Sequence, residues 1–306
     1  MSQTRKIKSI WKSVPTMEGA GVKLKRAFGY PQVPKLDPFL LMDDFHSNDP
    51  SDYLAGFPWH PHRGIETITY ILEGRVEHED SMGNKGNIIS GDVQWMTAGS
   101  GILHQEMPKI GANKRIWGYQ LWANLPATHK MMEPRYRDLK STQIPEVKLS
   151  SGVTVKVVSG RVDGISGPVK DIVIDPEYLD VSVPSRTSFT HPVKSGHTVF
   201  TYVLAGKGYF DQTHNAGGIE VIGSNDNEVK KKGKIGAENL VLYESRGDQI
   251  EINTEEEPVR FLLISGMPIG EPVAWSGPIV MNTQEELQVA FEEYQNKTFI
   301  KQKTKI

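Results

Sequence analysis

An internal repeat most strongly constrains how this 306-residue chain can fold. The segment 69–74 (TYILEG) recurs as 201–206 (TYVLAG), 132 residues further along, and each copy is a β-branched and aromatic run that ends in glycine. Segment 91–101 likewise aligns with segment 237–247, now 146 residues apart, so an insertion at about 214–236 accounts for the shift. Two blocks repeated in the same order predict two related domains built from short strands and glycine turns.

The repeat predicts an all-β protein made of two tandem antiparallel barrels. A polar stretch at 140–145, which contains a proline, lies between the two copies. We therefore predict an N-terminal domain at 1–140 and a C-terminal domain at 141–306.

One helix is predicted, at 283–296 near the end of the second domain. Thr283 and Glu286 have the spacing of a capping box, in which each side chain bonds the backbone of the other residue. The residues that follow form an apolar stripe at helical spacing: Leu287, Ala290, Phe291 and Tyr294. We expect this helix to pack on a barrel.

Composition narrows the function. The chain contains no cysteine, so a metal ion would have to be held by histidine, aspartate or glutamate. Its net charge of −2 provides no electrostatic footprint for nucleic acid. Apolar runs such as 261–264 are too short to span a bilayer, and residues 1–13 lack the apolar core of a secretory signal. We expect a cytoplasmic protein, or a nuclear one in a eukaryote, that binds neither nucleic acid nor membrane directly.

Two histidine clusters predict a metal site in the first domain. His60 and His62 lie two residues apart, so both project from one face of a strand. His104 and Glu106 have the same spacing, and the four side chains form a mixed set for one divalent ion such as iron, manganese, nickel, copper or zinc. Glu66 would face the same ion on a strand continuous with His62. Spacing alone leaves open whether Glu66 or Glu106 is the ligand, or whether Glu66 orients an imidazole.

The second copy of the repeat carries none of these candidate ligands. The residues aligned with His60, His62, Glu66, His104 and Glu106 are, in order, Pro192, Lys194, Thr198, Ile250 and Ile252. His191 and His197 lie nearby but out of register, and we interpret them as structural. The repeat therefore predicts one metal ion per chain, in the first domain.

The residue sequences of these motifs resemble those of a known family. Segment 56–66 (GFPWHPHRGIE) is similar to the first cupin motif, and segment 91–106 (GDVQWMTAGSGILHQE) to the second. Together with segment 37–43 (DPFLLMD), they resemble the pirin family of bicupins over most of the chain. The resemblance implies two jelly-roll barrels of the double-stranded β-helix type, followed by the C-terminal helix.

The resemblance also implies a ligand set. In pirins, the residues that match His60, His62, His104 and Glu106 bind a single metal ion, usually taken to be Fe(II). Their C-terminal cupin domain lacks a metal site. The resemblance therefore favours Glu106 over Glu66 as the carboxylate ligand.

Several pirins act as quercetin 2,3-dioxygenases, which implies an oxidoreductase that cleaves a flavonol with O₂ and releases carbon monoxide. Glu106 would accept the flavonol hydroxyl proton as general base. Phe57, Trp95 and Met96 are candidates for lining the flavonol pocket, with core packing as the alternative for each. Other pirins are described as transcription cofactors, so the alternative function is a metal-dependent, redox-sensing protein with a regulatory protein partner. A third interpretation is a metal-free cupin of the sugar-binding or isomerase type.

Overall fold

The computed structural model describes residues 2–111, 113–211 and 233–301. Most of the insertion predicted at about 214–236 lies outside these residues. The described residues are mostly β-strand, which confirms the prediction of an all-β protein. The strands are β1 (Ile7–Lys12), β2 (Val14–Glu18), β3 (Val22–Phe28), β4 (Phe39–Ser47), β5 (Phe57–His62), β6 (Ile65–Glu73), β7 (Arg75–Asp80), β8 (Lys85–Ile89), β9 (Val93–Thr97), β10 (Ile102–Lys109), β11 (Ile116–Asn124), β12 (Arg135–Leu139), β13 (Glu146–Lys148), β14 (Thr154–Ser159), β15 (Arg161–Val162), β16 (Ile165–Ser166), β17 (Glu177–Val183), β18 (Ser188–Pro192), β19 (Thr198–Gly208), β20 (Ile235–Gly236), β21 (Asn239–Tyr243), β22 (Gln249–Asn253), β23 (Val259–Gly266), β24 (Ala274–Ser276) and β25 (Ile279–Met281). The α-helices are α1 (Val33–Leu36), α2 (Ala127–Lys130) and α3 (Gln284–Gln295).

The chain divides into two compact units, and neither is continuous in sequence. The first unit consists of Pro15–Ser141 and Ile269–Ile306, and the second of Met1–Val14 and Thr142–Pro268, as far as these ranges are described. This division differs from the predicted domains 1–140 and 141–306 at both chain ends. Strand β1 belongs to the second unit because its backbone pairs with β21, and the C-terminal helix belongs to the first unit.

The first unit is built from two antiparallel sheets. Seven strands pair in the order β12-β9-β6-β11-β4-β3-β2, and four pair in the order β5-β10-β7-β8. Buried apolar side chains of both sheets, together with Tyr53 from the connection between β4 and β5, form one core cluster: Val22, Leu24, Phe45, Tyr53, Ile71, Val76, Ile88 and Ile116. The sheets therefore pack face to face, and alternate residues of β10 from Ile102 to Pro108 are buried between them.

The C-terminal segment packs on this first unit. Strands β24 and β25 pair with each other, and α3 follows them. Residues 269–281 are called the C-terminal strap below. The Thr283 hydroxyl accepts a hydrogen bond from the Glu286 backbone over 3.2 Å, and the Glu286 carboxylate caps Thr283 in return. The predicted helix and its capping box are thus confirmed, and Leu287 and Ala290 are the residues that α3 buries.

The second unit repeats this type of architecture. Its main sheet has the order β1-β21-β19-β23-β17-β14-β13, with every pairing antiparallel, and β18 pairs with β22. The core is rich in valine, leucine and isoleucine from alternate strand positions. No described helix is long and apolar enough to cross a membrane.

Candidate metal centre

Three predicted ligands meet where β5 and β10 run side by side. His104 lies opposite His60 in the register of these strands, and His62 projects from the same face of β5 as His60. The centroids of the three rings lie 4.3 to 5.0 Å apart. Potential ligand atoms of all three residues fall within 4.8 Å of one another. This imidazole cluster of His60, His62 and His104 could bind a metal ion.

Hydrogen bonds to backbone carbonyls fix the tautomers of two of these rings. Nδ1 of His60 lies 2.8 Å from the carbonyl oxygen of Pro58. Nδ1 of His62 lies 3.0 Å from that of Pro278. Because a carbonyl oxygen only accepts, both Nδ1 atoms carry hydrogen, and in the neutral rings both Nε2 atoms are bare. These Nε2 atoms lie 3.2 Å apart, so two lone pairs converge in a way that suits a bound cation.

Burial keeps two of the imidazoles neutral. His62 and His104 are almost fully shielded from solvent. Burial, reinforced by the neighbouring His60, lowers the pKa of His62 well below its ordinary value. Burial also lowers the pKa of His104, with smaller contributions from the other histidines around it. Neutral imidazole is the form that binds metal ions, so both rings are ready to do so.

Glu106, the fourth predicted ligand, lines the same cavity as His60 and His62. Its carboxylate accepts two hydrogen bonds from neutral donors. The Thr69 hydroxyl donates to Oε1 over 3.1 Å, and the Gln120 amide donates to Oε2 over 2.8 Å. Among the described residues, the ligand atoms that lie within 4.8 Å of one another are those of the three histidines, and the Glu106 carboxylate is not one of them. Protein donors therefore orient the Glu106 carboxylate in the wall of this cavity.

Glu66 projects from the opposite face of the sheet. The Thr97 hydroxyl donates to Oε1 of Glu66 over 2.6 Å, and the two residues face each other across β6 and β9. Thr69, whose hydroxyl reaches Glu106, is an odd number of positions from Glu66, so their side chains point to opposite faces of β6. Burial raises the pKa of Glu66, although the bond from Thr97 opposes that rise. This geometry is incompatible with the alternative in which Glu66 binds the same ion as His62.

A cavity of about 570 Å³ opens beside the imidazole cluster. Its wall is rich in aromatic side chains: Phe57, Trp59, Trp122 and Trp275. At a polar part of the wall, the Arg26 guanidinium makes two hydrogen bonds of 2.8 Å to the Asp43 carboxylate. Small-molecule sites have this size and this combination of an apolar wall with few polar groups.

The three predicted pocket residues divide between the cavity and the core. Phe57 lines the cavity. Trp95 and Met96 are fully buried, and Met96 packs in a core cluster with Ile65 and Val280. The core alternative therefore holds for Trp95 and Met96.

Two residues of the site were not selected from the sequence. His78 lies opposite Glu106 in the register of β7 and β10, and its ring centroid is 5.3 Å from that of His104. Gln120 reaches Glu106 from β11 in the other sheet. His78 and Asp80 lie two residues apart and therefore on the same face of β7. Once the pairing of β7 with β10 is known, this spacing indicates that His78 faces the site. Gln120 carries no comparable signal.

The C-terminal strap supplies backbone atoms to the site. The carbonyl of Pro278 accepts the bond from His62 described above. The buried Lys130 ammonium donates to the carbonyls of Gly64 and Val280, each over 3.0 Å. The strap is thus held at two points. Pro278 bonds His62 directly, and Val280 shares the Lys130 ammonium with Gly64.

The second-unit histidines have carboxylate neighbours of their own. Nε2 of His191 lies 3.0 Å from Oε1 of Glu177. Nε2 of His197 lies 3.7 Å from Oδ2 of Asp175. Both rings are buried, which agrees with a structural role.

Two antiparallel barrel units in one chain, the first with a largely buried imidazole cluster beside a cavity, define a bicupin with a candidate metal centre in the described part of the first unit. Residues 21–123 match the family model described as Pirin, and residues 178–300 match the one described as Pirin C-terminal cupin domain. The chain belongs to the pirin family.

Relatives match nearly the whole chain. A pirin-like protein from Caulobacter vibrioides is 41% identical over 296 residues, which cover 96% of this chain and 99% of that protein. Pirin from Homo sapiens is 39% identical over 297 residues, with 97% and 94% covered. The crystal structure of quercetin 2,3-dioxygenase from Acinetobacter baumannii is 28% identical, with a TM-score of 0.83, and covers 97% of this chain and 99% of its own.

Proposed function

We propose that this pirin is a metal-dependent dioxygenase that cleaves a flavonol such as quercetin with O₂ and releases carbon monoxide. The observation that carries the proposal is the pair of bare Nε2 atoms of His60 and His62, 3.2 Å apart, which open with Glu106 into an aromatic-walled cavity. The similarity to the Acinetobacter baumannii quercetin 2,3-dioxygenase supports the choice of substrate class.

Four residues would hold the ion: His60, His62, His104 and Glu106. Neutral imidazoles with one carboxylate suit a divalent first-row ion, and we assign Fe(II), with Mn, Ni, Cu or Zn as alternatives. When bound, the ion supplies Lewis acidity toward the flavonol oxygens and electron exchange with O₂.

The cavity wall suits a flat aromatic substrate. The Trp122 ring lies edge-on to the His62 ring, with centroids 4.9 Å apart, and Trp275 lies 5.9 Å from Trp122. Such rings stack on planar ligands and exclude water from them. The paired Arg26 and Asp43 side chains provide hydrogen-bonding groups for the flavonol hydroxyls.

Glu106 performs the proton transfer in this proposal. The flavonol binds with its 3-hydroxyl and adjacent carbonyl toward the imidazole cluster. Glu106 accepts the hydroxyl proton as general base, which is a step of the type that contributes about 10²- to 10⁴-fold in enzymes. The electron-rich flavonolate then reacts with O₂, and the central ring opens with loss of carbon monoxide.

The test is turnover of quercetin by the iron-loaded protein under O₂. Flavonol absorbance should fall, and one molecule of carbon monoxide should appear for each molecule of flavonol consumed. A His104→Ala variant with measured metal content is the control, because it removes a ligand buried in the site. No turnover above this control would refute the dioxygenase and favour the regulatory alternative, in which the metal's oxidation state selects a protein partner.

A further inference from the structure

A chain of hydrogen bonds leads from the cavity wall to Glu106. The indole Nε1 of Trp122 donates to Oε1 of Gln120 over 2.9 Å. The amide nitrogen of Gln120 donates to Oε2 of Glu106 over 2.8 Å and to the Thr69 hydroxyl over 3.2 Å. The Thr69 hydroxyl donates in turn to Oε1 of Glu106 over 3.1 Å. Both oxygens of the carboxylate therefore receive a bond that traces back to one indole.

The chemistry of Trp122 fixes the direction of every bond in this chain. An indole N–H can only donate, so the Gln120 amide has to present its oxygen to Trp122 and its NH₂ group to Glu106 and Thr69. Because the Thr69 oxygen accepts from Gln120, its own hydrogen is directed to Glu106. Rotating the amide by half a turn would break three bonds at once, so the donor end of Gln120 stays on the carboxylate.

The backbone makes this arrangement rigid. Thr69 and Gln120 face each other across the paired strands β6 and β11, and Trp122 follows on the same face of β11. Glu106 lies on β10, in the four-stranded sheet. The hydrogen bonds therefore tie the carboxylate of one sheet to a cross-strand pair of the other.

We propose that Gln120, oriented by Trp122, is a positioning residue that fixes where the Glu106 carboxylate points within the candidate metal centre. This inference rests on the proposed function, in which Glu106 is both a ligand and the general base. Without the amide, Thr69 alone would hold the carboxylate, and Glu106 would sample other rotamers.

Three variants test the inference. Gln120→Leu replaces the amide with an aliphatic side chain that is one atom shorter, and Trp122→Phe keeps an aromatic ring while removing the N–H donor. Gln105→Leu is the matched control, because Gln105 lies next to Glu106 in sequence but its amide donates to Glu79 over 3.3 Å, on the other face of β10. Each protein is loaded with Co(II), and the visible d–d spectrum and cobalt affinity are measured. The iron-loaded proteins then give kcat and KM for quercetin, and thermal melting checks folding.

Gln120→Leu should change the cobalt spectrum and weaken cobalt affinity by roughly 10-fold, as substitutions behind metal ligands do. Its kcat should fall by roughly 10- to 100-fold while KM stays within about twofold. Trp122→Phe should lower cobalt affinity and kcat as well, but by smaller factors. Gln105→Leu should match the wild type. A wild-type cobalt spectrum and affinity in Gln120→Leu would overturn the inference, and if that variant does not fold, Trp122→Phe decides on the same criteria. Absence of quercetin turnover by the wild type would sink the proposed function alone, since the cobalt measurements do not depend on turnover.

Discussion

Nδ1 of His62 donates a hydrogen bond over 3.0 Å to the carbonyl oxygen of Pro278, 216 positions further along the chain. Residues 142–268, which belong to the second unit, separate the two bonded residues in sequence. His62 lies among the strands of the first unit that end at Leu139, and Pro278 lies in the strap, where the chain returns to the first unit. The C-terminal strap thereby fixes the tautomer of a candidate metal ligand. We expect perturbations of the strap to be felt at the metal centre.

A methyl group added at Gly64 would press directly on the backbone of the strap. Gly64 has a φ of +78°, and a Cβ placed there would lie 1.9 Å from the carbonyl oxygen of Val280. Gly64→Ala should therefore lower the free energy of unfolding by about 3 kcal/mol, from left-handed strain plus displacement of the strap. Because His62 loses its fixed partner, metal affinity should fall by roughly 10-fold, measured by competition with a chelating dye.

Gly83→Ala separates backbone strain from displacement of the strap. Gly83 has a similar φ of +89°, but a Cβ there would meet no atom within 4 Å. We expect a loss of about 1 kcal/mol and unchanged metal affinity. Equal loss of affinity in both alanine variants would show that the contact between Gly64 and Val280 does not support the site.

Lys130 should contribute to stability in a pH-dependent way. Its buried ammonium donates to two backbone carbonyls and to the Asn124 side chain, the last over 2.7 Å. Lys130→Met would remove a donor from each of these buried acceptors, although the Leu125 amide still donates to the Gly64 carbonyl. We expect a loss of about 2 kcal/mol or more in denaturant unfolding. Lys85→Met is the control, because Lys85 is largely exposed and pairs with Glu79 at the surface. Its effect should stay below about 0.5 kcal/mol.

The sign of the pH effect follows from the pKa. Burial lowers the pKa of Lys130 from 10.5 to about 7. Between these values the folded protein binds fewer protons at Lys130 than the unfolded chain does, so this site's contribution to the free energy of unfolding rises with pH. Below about pH 7 both states hold the proton, and the penalty for burying the charge is fully present. The stability difference between wild type and Lys130→Met should thus widen as pH rises through this window, and a constant difference would contradict the prediction.

Glu106 and Glu66 should respond differently to the same substitution. Glu106→Gln replaces the proposed base with an amide, so quercetin turnover should fall by at least about 100-fold. Glu66→Gln changes a carboxylate that bonds Thr97 on the other face of the sheet. Turnover and metal content of Glu66→Gln should therefore match the wild type. Loss of bound metal in Glu66→Gln would argue that Glu66 is a ligand after all.

Metal binding should stabilise the folded protein through the first unit. A divalent ion at about 100 times its Kd adds about 2.7 kcal/mol and raises the melting temperature. His62→Ala should abolish this rise, whereas His191→Ala, a buried histidine of the second unit, should keep it. A rise that persists in His62→Ala would place the ion elsewhere, and no rise in the wild type would favour a metal-free cupin.

The sequence was sufficient wherever the relevant signal is local. Strand alternation pairs His60 with His62 and His104 with Glu106 on common faces, and that needs only a spacing of two. The capping box of Thr283 is local in the same way. The repeat predicted the barrels because each copy carries its own strand and turn pattern.

The remaining features depend on contacts between distant segments, which spacing does not encode. Nothing in the pattern around Pro278 indicates that its carbonyl meets His62. Gln120 looks like any polar residue on a strand until the facing sheet shows its contact with Glu106. The observed units differ from the predicted domains at the chain ends for the same reason, since β1 pairs with β21 of the second unit and α3 belongs to the first unit.

The return of the strap also sets an order of events during synthesis. A nascent chain that has emerged as far as Pro268 already contains all four proposed ligands, but not the carbonyl that receives the His62 hydrogen. Pro278 is synthesised only after residues 142–268 of the second unit have been translated. We therefore expect the first barrel, although its ligands are made first, to mature after the second, with ion loading completed only once Pro278 has been synthesised.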